Sequence, residues 1–257
     1  MTKRVALLCV VLVVLTAAVA SAAGGVNVRW NDCLGDGGVP DRVFACDRNS
    51  GTNLLDGSFV LGADLAQVSG LEIVVDIATA GPVLPAWWQF KNAGTCRQAS
   101  LNMSPTANPF SVACVDWTQG SAAGGTAAYT VGSFGPSTAR IVAGFGLPTV
   151  LYADLVANQE YFAFNGRLDN AKTVGTGACD GCTTPACIVC TYVRVVTPPV
   201  AGQPSRDVNL SGPTNNTDSN FVTWQGGAGV SSSLGQGCPA ATPTQLTTWS
   251  RVKTLYR

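Results

Sequence analysis

Leu71-Glu72-Ile73-Val74-Val75-Asp76-Ile77 is the stretch whose reading decides the fold class. Leu71, Ile73, Val75 and Ile77 fall on one side of an extended chain, and Glu72, Val74 and Asp76 fall on the other. That period of two belongs to a half-buried strand. At ~3.3 Å per residue, Glu72 and Asp76 stand ~13 Å apart along one face. They are too distant for the carboxyl pair of a glycosidase, which needs about 5–9.5 Å, and are expected to be solvated strand carboxylates.

Moving outward, similar short runs occupy 26–30, 58–61, 86–90, 127–131, 139–145, 160–165, 188–196, 207–210 and 221–224. Gly-Gly, Asp-Gly, Gly-Pro and Asn-Gly pairs punctuate the segments between them. No amphipathic helical pattern separates successive strands, so parallel βαβ units are not expected. Many short strands with frequent turns predict an all-β, antiparallel β-sandwich with disulfide-stapled loops. A short C-terminal helix is expected near 247–256, where Trp249, Val252 and Tyr256 share a stripe and a threonine can cap the start. The Pro-rich run 197–204 is too short to act as a long linker, and too few strands follow it to bury a separate core. Residues 23–257 are therefore read as one domain.

Lys3 and Arg4 precede an almost wholly apolar run from Val5 to Val19, and Ala20-Ser21-Ala22 offers small residues for cleavage. Residues 1–22 are read as a secretory signal peptide rather than a membrane span. The expected location is secreted, extracellular, periplasmic or on the cell surface.

Charge and composition narrow the chemistry. Charged residues make up 12% of the 257, with Lys+Arg 15 against Asp+Glu 15, about half the usual ionic content. Such a chain has no basic patch to hold nucleic acid. It contains no histidine, which excludes a Ser-His-Asp triad, histidine acid-base catalysis and a His-ligated metal. Neither a Gly-x-Ser-x-Gly elbow nor a P-loop is present, and no motif calls for a cofactor. Asp32, Asp36 and Asp41, with Asn31, crowd a Gly-rich loop as calcium ligands can. Leu34 breaks the EF-hand template, and a plain turn explains the same residues. The run 215–218 is open to the same two readings.

Without Cys9, which lies in the leader, nine cysteines remain, and an oxidising compartment pairs most of them. Eight allow 105 connectivities. Cys33 with Cys46, and Cys96 with Cys114, are nearest neighbours that would close short loops. Cys179, Cys182, Cys187 and Cys190 form a cluster at x2, x4, x2 spacing. Zinc or iron–sulfur ligation is conceivable there, but the x4 gap departs from ferredoxin and zinc-ribbon spacing and export favours disulfides. In a strand reading of Ile188, Cys190, Tyr192 and Arg194 as one face, Cys190 is the candidate free thiol. Cys238 would pair into the 179–187 group.

Aromatic residues are the remaining lead. As a strand, 87–90 would set Trp87 and Gln89 on one face and Trp88 and Phe90 on the other, leaving one tryptophan for the core and its neighbour for solvent. Trp117 and Trp224 also lie beside polar residues. Outward rings of this kind suit stacking on sugar or a protein partner, while burial of all four in a core is the plainer reading. In outline the strand pattern resembles cohesin-type, jelly-roll and immunoglobulin-like extracellular modules over about half the chain. The ending, residues 249–257, resembles the ends of uncharacterised secreted bacterial proteins, which implies export. The expected function is a non-catalytic extracellular or cell-surface interaction or structural module, whose partner is an extracellular protein or a polysaccharide. The alternative is a carbohydrate-binding module that uses exposed tryptophans. An enzyme with a loop-assembled aspartate site is a third reading.

Overall fold

The computed structural model describes residues 24–108, 111–215 and 218–227. The leader, Cys238 and the expected C-terminal helix lie outside the described residues. Within them the protein is all-β, with strands β1 (Gly25–Trp30), β2 (Asp41–Arg42), β3 (Thr52–Val60), β4 (Leu65–Val68), β5 (Gly70–Thr79), β6 (Leu101–Ser104) and β7 (Ala123–Val131). These are followed by β8 (Thr138–Gly146), β9 (Ala153–Leu155), β10 (Glu160–Asp169), β11 (Ala186–Val196), β12 (Val208–Leu210) and β13 (Phe221–Trp224). Among the described residues, the helical turns are short 3-10 segments.

The smaller sheet runs β1-β3-β10-β6 and is antiparallel throughout. The larger runs β2-β13-β11-β5-β8-β7, with β12 also paired to β11. It too is antiparallel apart from the short parallel β2–β13 pair. A ribbon of β4 and β9 stands alone. Apolar side chains from both sheets meet in one core, among them Val26, Val28, Leu55 and Phe59 from the smaller and Leu71, Ile73, Val75 and Ile77 from the larger. The alternation in 71–77 thus has its cause in burial of one strand face.

The other face of β5 is not the solvated surface expected. Asp76 is buried and receives two parallel bonds from Arg140 of β8, at 2.7 and 2.8 Å. Glu72 is bonded by Arg194 of β11 at 3.1 Å. Antiparallel register puts each arginine directly opposite its carboxylate, a pairing invisible until the strands are ordered.

Strand β11 carries a second correction. A register shift lies between Cys190 and Tyr192, leaving Thr191 as the extra residue. An extra residue moves all later side chains to the opposite face. Ile188 and Cys190 therefore share the core with Val193 and Val195, whereas Tyr192 and Arg194 turn outward.

Three disulfides join Cys33 to Cys114, Cys46 to Cys182 and Cys96 to Cys179, with Cα–Cα distances of 5.9, 5.9 and 6.0 Å. The short closures Cys33–Cys46 and Cys96–Cys114 are not formed. Sheet pairing brings together loops 81, 136 and 83 residues apart, so sequence proximity is a poor guide. Cys187 is also disulfide-bonded, which leaves the 179–187 group without thiolates for metal. Cys190 is a buried free thiol, and burial pushes its pKa up to about 12. These bonds fit an oxidising, extracellular-type environment. Among the described residues no helix is long and apolar enough to cross a membrane.

Candidate functional site

The segment 86–90 is not a strand. Pro85 leads into a 3-10 turn at Ala86–Trp88, in which Trp88 N–H donates to the Pro85 carbonyl at 3.0 Å. The turn aims Trp87, Trp88 and Phe90 all inward, each 0% exposed. Trp224 is equally buried, and Trp117 is 6% exposed. The expectation of an outward tryptophan at 87 or 88 is thereby overturned. A large ring is most stable buried once its N–H has a partner, and each indole has one. Trp87 donates to Thr173 Oγ1 (3.0 Å), Trp88 to the Gly181 carbonyl (3.2 Å), Trp117 to the Phe162 carbonyl (3.0 Å) and Trp224 to the Cys182 carbonyl (2.6 Å).

Trp30, Trp87, Trp88 and Trp224 form a contiguous aromatic nucleus, with Trp224 centred 5.8, 4.9 and 5.4 Å from the other three. The Arg97 guanidinium lies 3.5 Å from the centre of the Trp87 ring. It donates to the carbonyls of Trp87 (2.8 Å), Ala171 (3.1 Å) and Asp169. Burial lowers its pKa to about 10, against the opposing pull of Asp169. Arg97 therefore ties its own loop and the 169–171 segment to the nucleus, a role that nothing around it in the chain signals.

The nucleus reaches the surface through Phe44, which stacks on Trp224 at 3.8 Å. Gln225 fixes the Phe44 backbone from both sides: its Oε1 accepts from the Phe44 N–H (3.1 Å), and its Nε2 donates to the Phe44 carbonyl (2.9 Å). Next to Phe44 is a groove of about 340 Å³, walled by Arg42, Cys46, Arg48, Asn53 and Asn170 with the Cys182 disulfide partner below. That volume lies at the low end for small-ligand sites. Asn53 donates to Asn170 Oδ1 at 2.8 Å, and Asn170 donates to the Ser50 carbonyl at 3.0 Å, so the amide wall is held in place. Arg48 pairs with Asp47 at 2.9 Å in solvent, where such a contact contributes little. Arg42 lies 5.1 Å from the Phe44 ring centre and has no hydrogen bond or ion pair with the described residues, leaving its donors available.

Sequence reading missed this groove because it is lined by an irregular segment, 43–51, joined to the start of β3 and the end of β10. Cys46 was the one visible signal, since a disulfide must anchor that segment somewhere.

Asp32, Asp36 and Asp41 do not converge on a shared ligand position. Asp36 accepts the Ser111 hydroxyl and the N–H groups of Val112 (2.9 Å), Ala113 (2.9 Å) and Cys114 (3.2 Å). Although burial opposes ionisation, those donors bring its pKa down to about 2. Asp36 thus fastens the loop carrying Cys114. Asp41 accepts from Thr223 (2.7 Å), and Asp32 accepts from Asn108 (2.8 Å). Cys33, Cys114 and Glu160 do lie close together, but the two sulfurs are joined covalently and offer no thiolate. No protein-family model, curated protein or solved structure is significantly similar to this chain.

Proposed function

We propose that the protein is a non-catalytic interaction module of the exported, extracellular or cell-surface kind, and that the groove beside Phe44 is where its partner docks. The two sheets are read as the layers of a sandwich of jelly-roll, immunoglobulin-like or cohesin-like type, with the groove at one end. The observation that carries this reading is the available Arg42 guanidinium on a wall immobilised by Cys46–Cys182 and by the Phe44–Trp224 stack. A fixed wall lowers the ordering cost of association. The carboxylates of the larger sheet are engaged elsewhere, with Asp76 held by Arg140 and both Glu72 and Asp207 held by Arg194.

An extracellular protein is the favoured partner class, entering with an acidic or amide side chain opposite Arg42. A polysaccharide is the second reading, supported by the groove's size and amide lining. It now rests on Phe44, Asn53 and Asn170, since the four tryptophans lie in the core. Screening immobilised glycans and extracellular proteins with wild type, Arg42→Ala and Asn53→Ala tests both. Saturable binding lost in Arg42→Ala with its unfolding temperature unchanged, and weakened in Asn53→Ala, is expected. Binding that is indifferent to both substitutions, or substrate turnover, would overturn the reading.

A further inference from the structure

The chain has 10 cysteines. Three disulfides use Cys33, Cys114, Cys46, Cys182, Cys96 and Cys179, and Cys190 is a free thiol. Cys187 is disulfide-bonded as well, and its partner is none of these. Cys9 and Cys238 remain. Cys9 lies in the apolar leader, which is read as removed on export, so the count points to Cys238 in the mature protein.

The surroundings of Cys187 say what such a bond would hold. Along β11, Ala186, Ile188 and Cys190 enter the core, while Cys187 and Val189 lie between them on the other face of the larger sheet. There Cys187 stands between Ala78 of β5 and Thr223 of β13, and Val189 stands between Asp76 and Phe221. Ala78, Cys187, Val189 and Phe221 form an apolar patch separate from the core. Side chains on a sheet face turned from the core meet solvent unless something lies over them. Yet Cys187 is 0% exposed, Val189 2%, Phe221 8% and Ala78 9%. Among the described elements, those packed most on β11 are its sheet partners β5, β12 and β13, β1 on the core side and the turn Gln225–Gly227. These account for the edges and core face of β11, not for a cover over its outward patch.

Chain path and composition supply the occupant. A Cβ on Gly227 would lie 3.0 Å from Thr223 Cγ2 and 3.6 Å from the Ala186 carbonyl oxygen, so the chain leaves the sheet beside Cys187. Cys238 follows about 11 residues later, a stretch that spans at most ~36–40 Å. Residues 228–250 carry no charged side chain, and Leu234, Pro239, Ala240 and Ala241 flank Cys238. Uncharged chain of this kind covers an apolar patch without desolvating an ion.

We propose that residues 228–250 dock across this outward patch as a strap, with Cys187–Cys238 as its clasp. The bond forms as the other disulfides do: two thiols give up two protons and two electrons to a disulfide-bearing oxidant of the exporting compartment, which becomes a dithiol. The patch is then an internal seam, independent of the groove beside Phe44.

The test alkylates exported full-length protein without reductant, then digests and maps it. A Cys187–Cys238 peptide from monomeric protein is expected. Cys187 joined to Cys9, the same bond running between two chains, or Cys238 recovered alkylated would overturn the proposal. Cys238→Ser tests the docking itself. Elastase cleavage within 228–250 and hydroxyl-radical oxidation of Phe221 should each rise about tenfold, with the circular dichroism of wild type kept. Unchanged rates in the folded variant overturn the clasp. If the variant does not fold, the same two readouts on wild type decide: resistance until global unfolding supports the strap, and rapid cleavage and oxidation of the native protein overturn it.

Discussion

Asp56 and Asp76 are both strand aspartates with buried side chains, and burial raises the pKa of each. They differ in what meets the charge. Asp76 has a forked arginine and the Thr191 hydroxyl at 3.3 Å. Asp56 has one amide, and its pKa rises to about 6 from an ordinary 3.8. The folded protein binds the Asp56 proton more tightly than the unfolded chain does. That contribution is therefore full below about pH 4 and is lost as pH rises through about 6. The loss is on the order of 3 kcal/mol, and Asp56→Asn should remove it. Urea titrations of wild type and variant between pH 4 and pH 7 measure the difference. Asp36 has the opposite sign: its depressed pKa stabilises above about pH 4, and the stabilisation fades toward pH 2. Arg97 makes a second residue-scale prediction. Arg97→Lys keeps the charge but loses the fork that spans three carbonyls, and should cost about 2–4 kcal/mol in chemical denaturation.

At the scale of elements, strand pairing is governed by a few positions where the pleat is interrupted. In β10 a register shift between Phe162 and Phe164 sets Phe164 across from Gly57 of β3. A Cβ at Gly57 would lie 2.1 Å from that ring. Glycine is needed there for close approach of the ring, since Phe164 is itself fully buried. Gly57→Ala should destabilise by about 1–3 kcal/mol through overpacking, read as a lower unfolding temperature. Thr191 acts comparably in β11: as the extra residue, it lets Cys190 point inward and Arg194 outward within one strand. Strict alternation read along 188–194 could not show this, because a bulge is set by the partner strand rather than by side-chain type.

For the whole molecule, the disulfides lock distant loops that sheet pairing has brought together. Cys46–Cys182 closes the longest interval of the three, 136 residues, and underlies the groove. Its removal as Cys46→Ser with Cys182→Ser should cost about 4–5 kcal/mol and weaken partner binding at the same time. Non-reducing peptide mapping should recover 33–114, 46–182 and 96–179. Cys190 should resist alkylation until the protein is unfolded. Recovery of 33–46 or 96–114 would contradict the fold.

The amino-acid sequence by itself determined the all-β class, most strand positions and the expectation of cross-linked cysteines, because alternation and turn residues act over a few neighbours. Only the tertiary structure decided which cysteines pair, which arginine faces which carboxylate, that 86–90 is a turn burying both its tryptophans, and where a groove opens. Each of those depends on strands brought together across many tens of residues. Register and loop closure, which no local pattern encodes, then set burial and charge pairing.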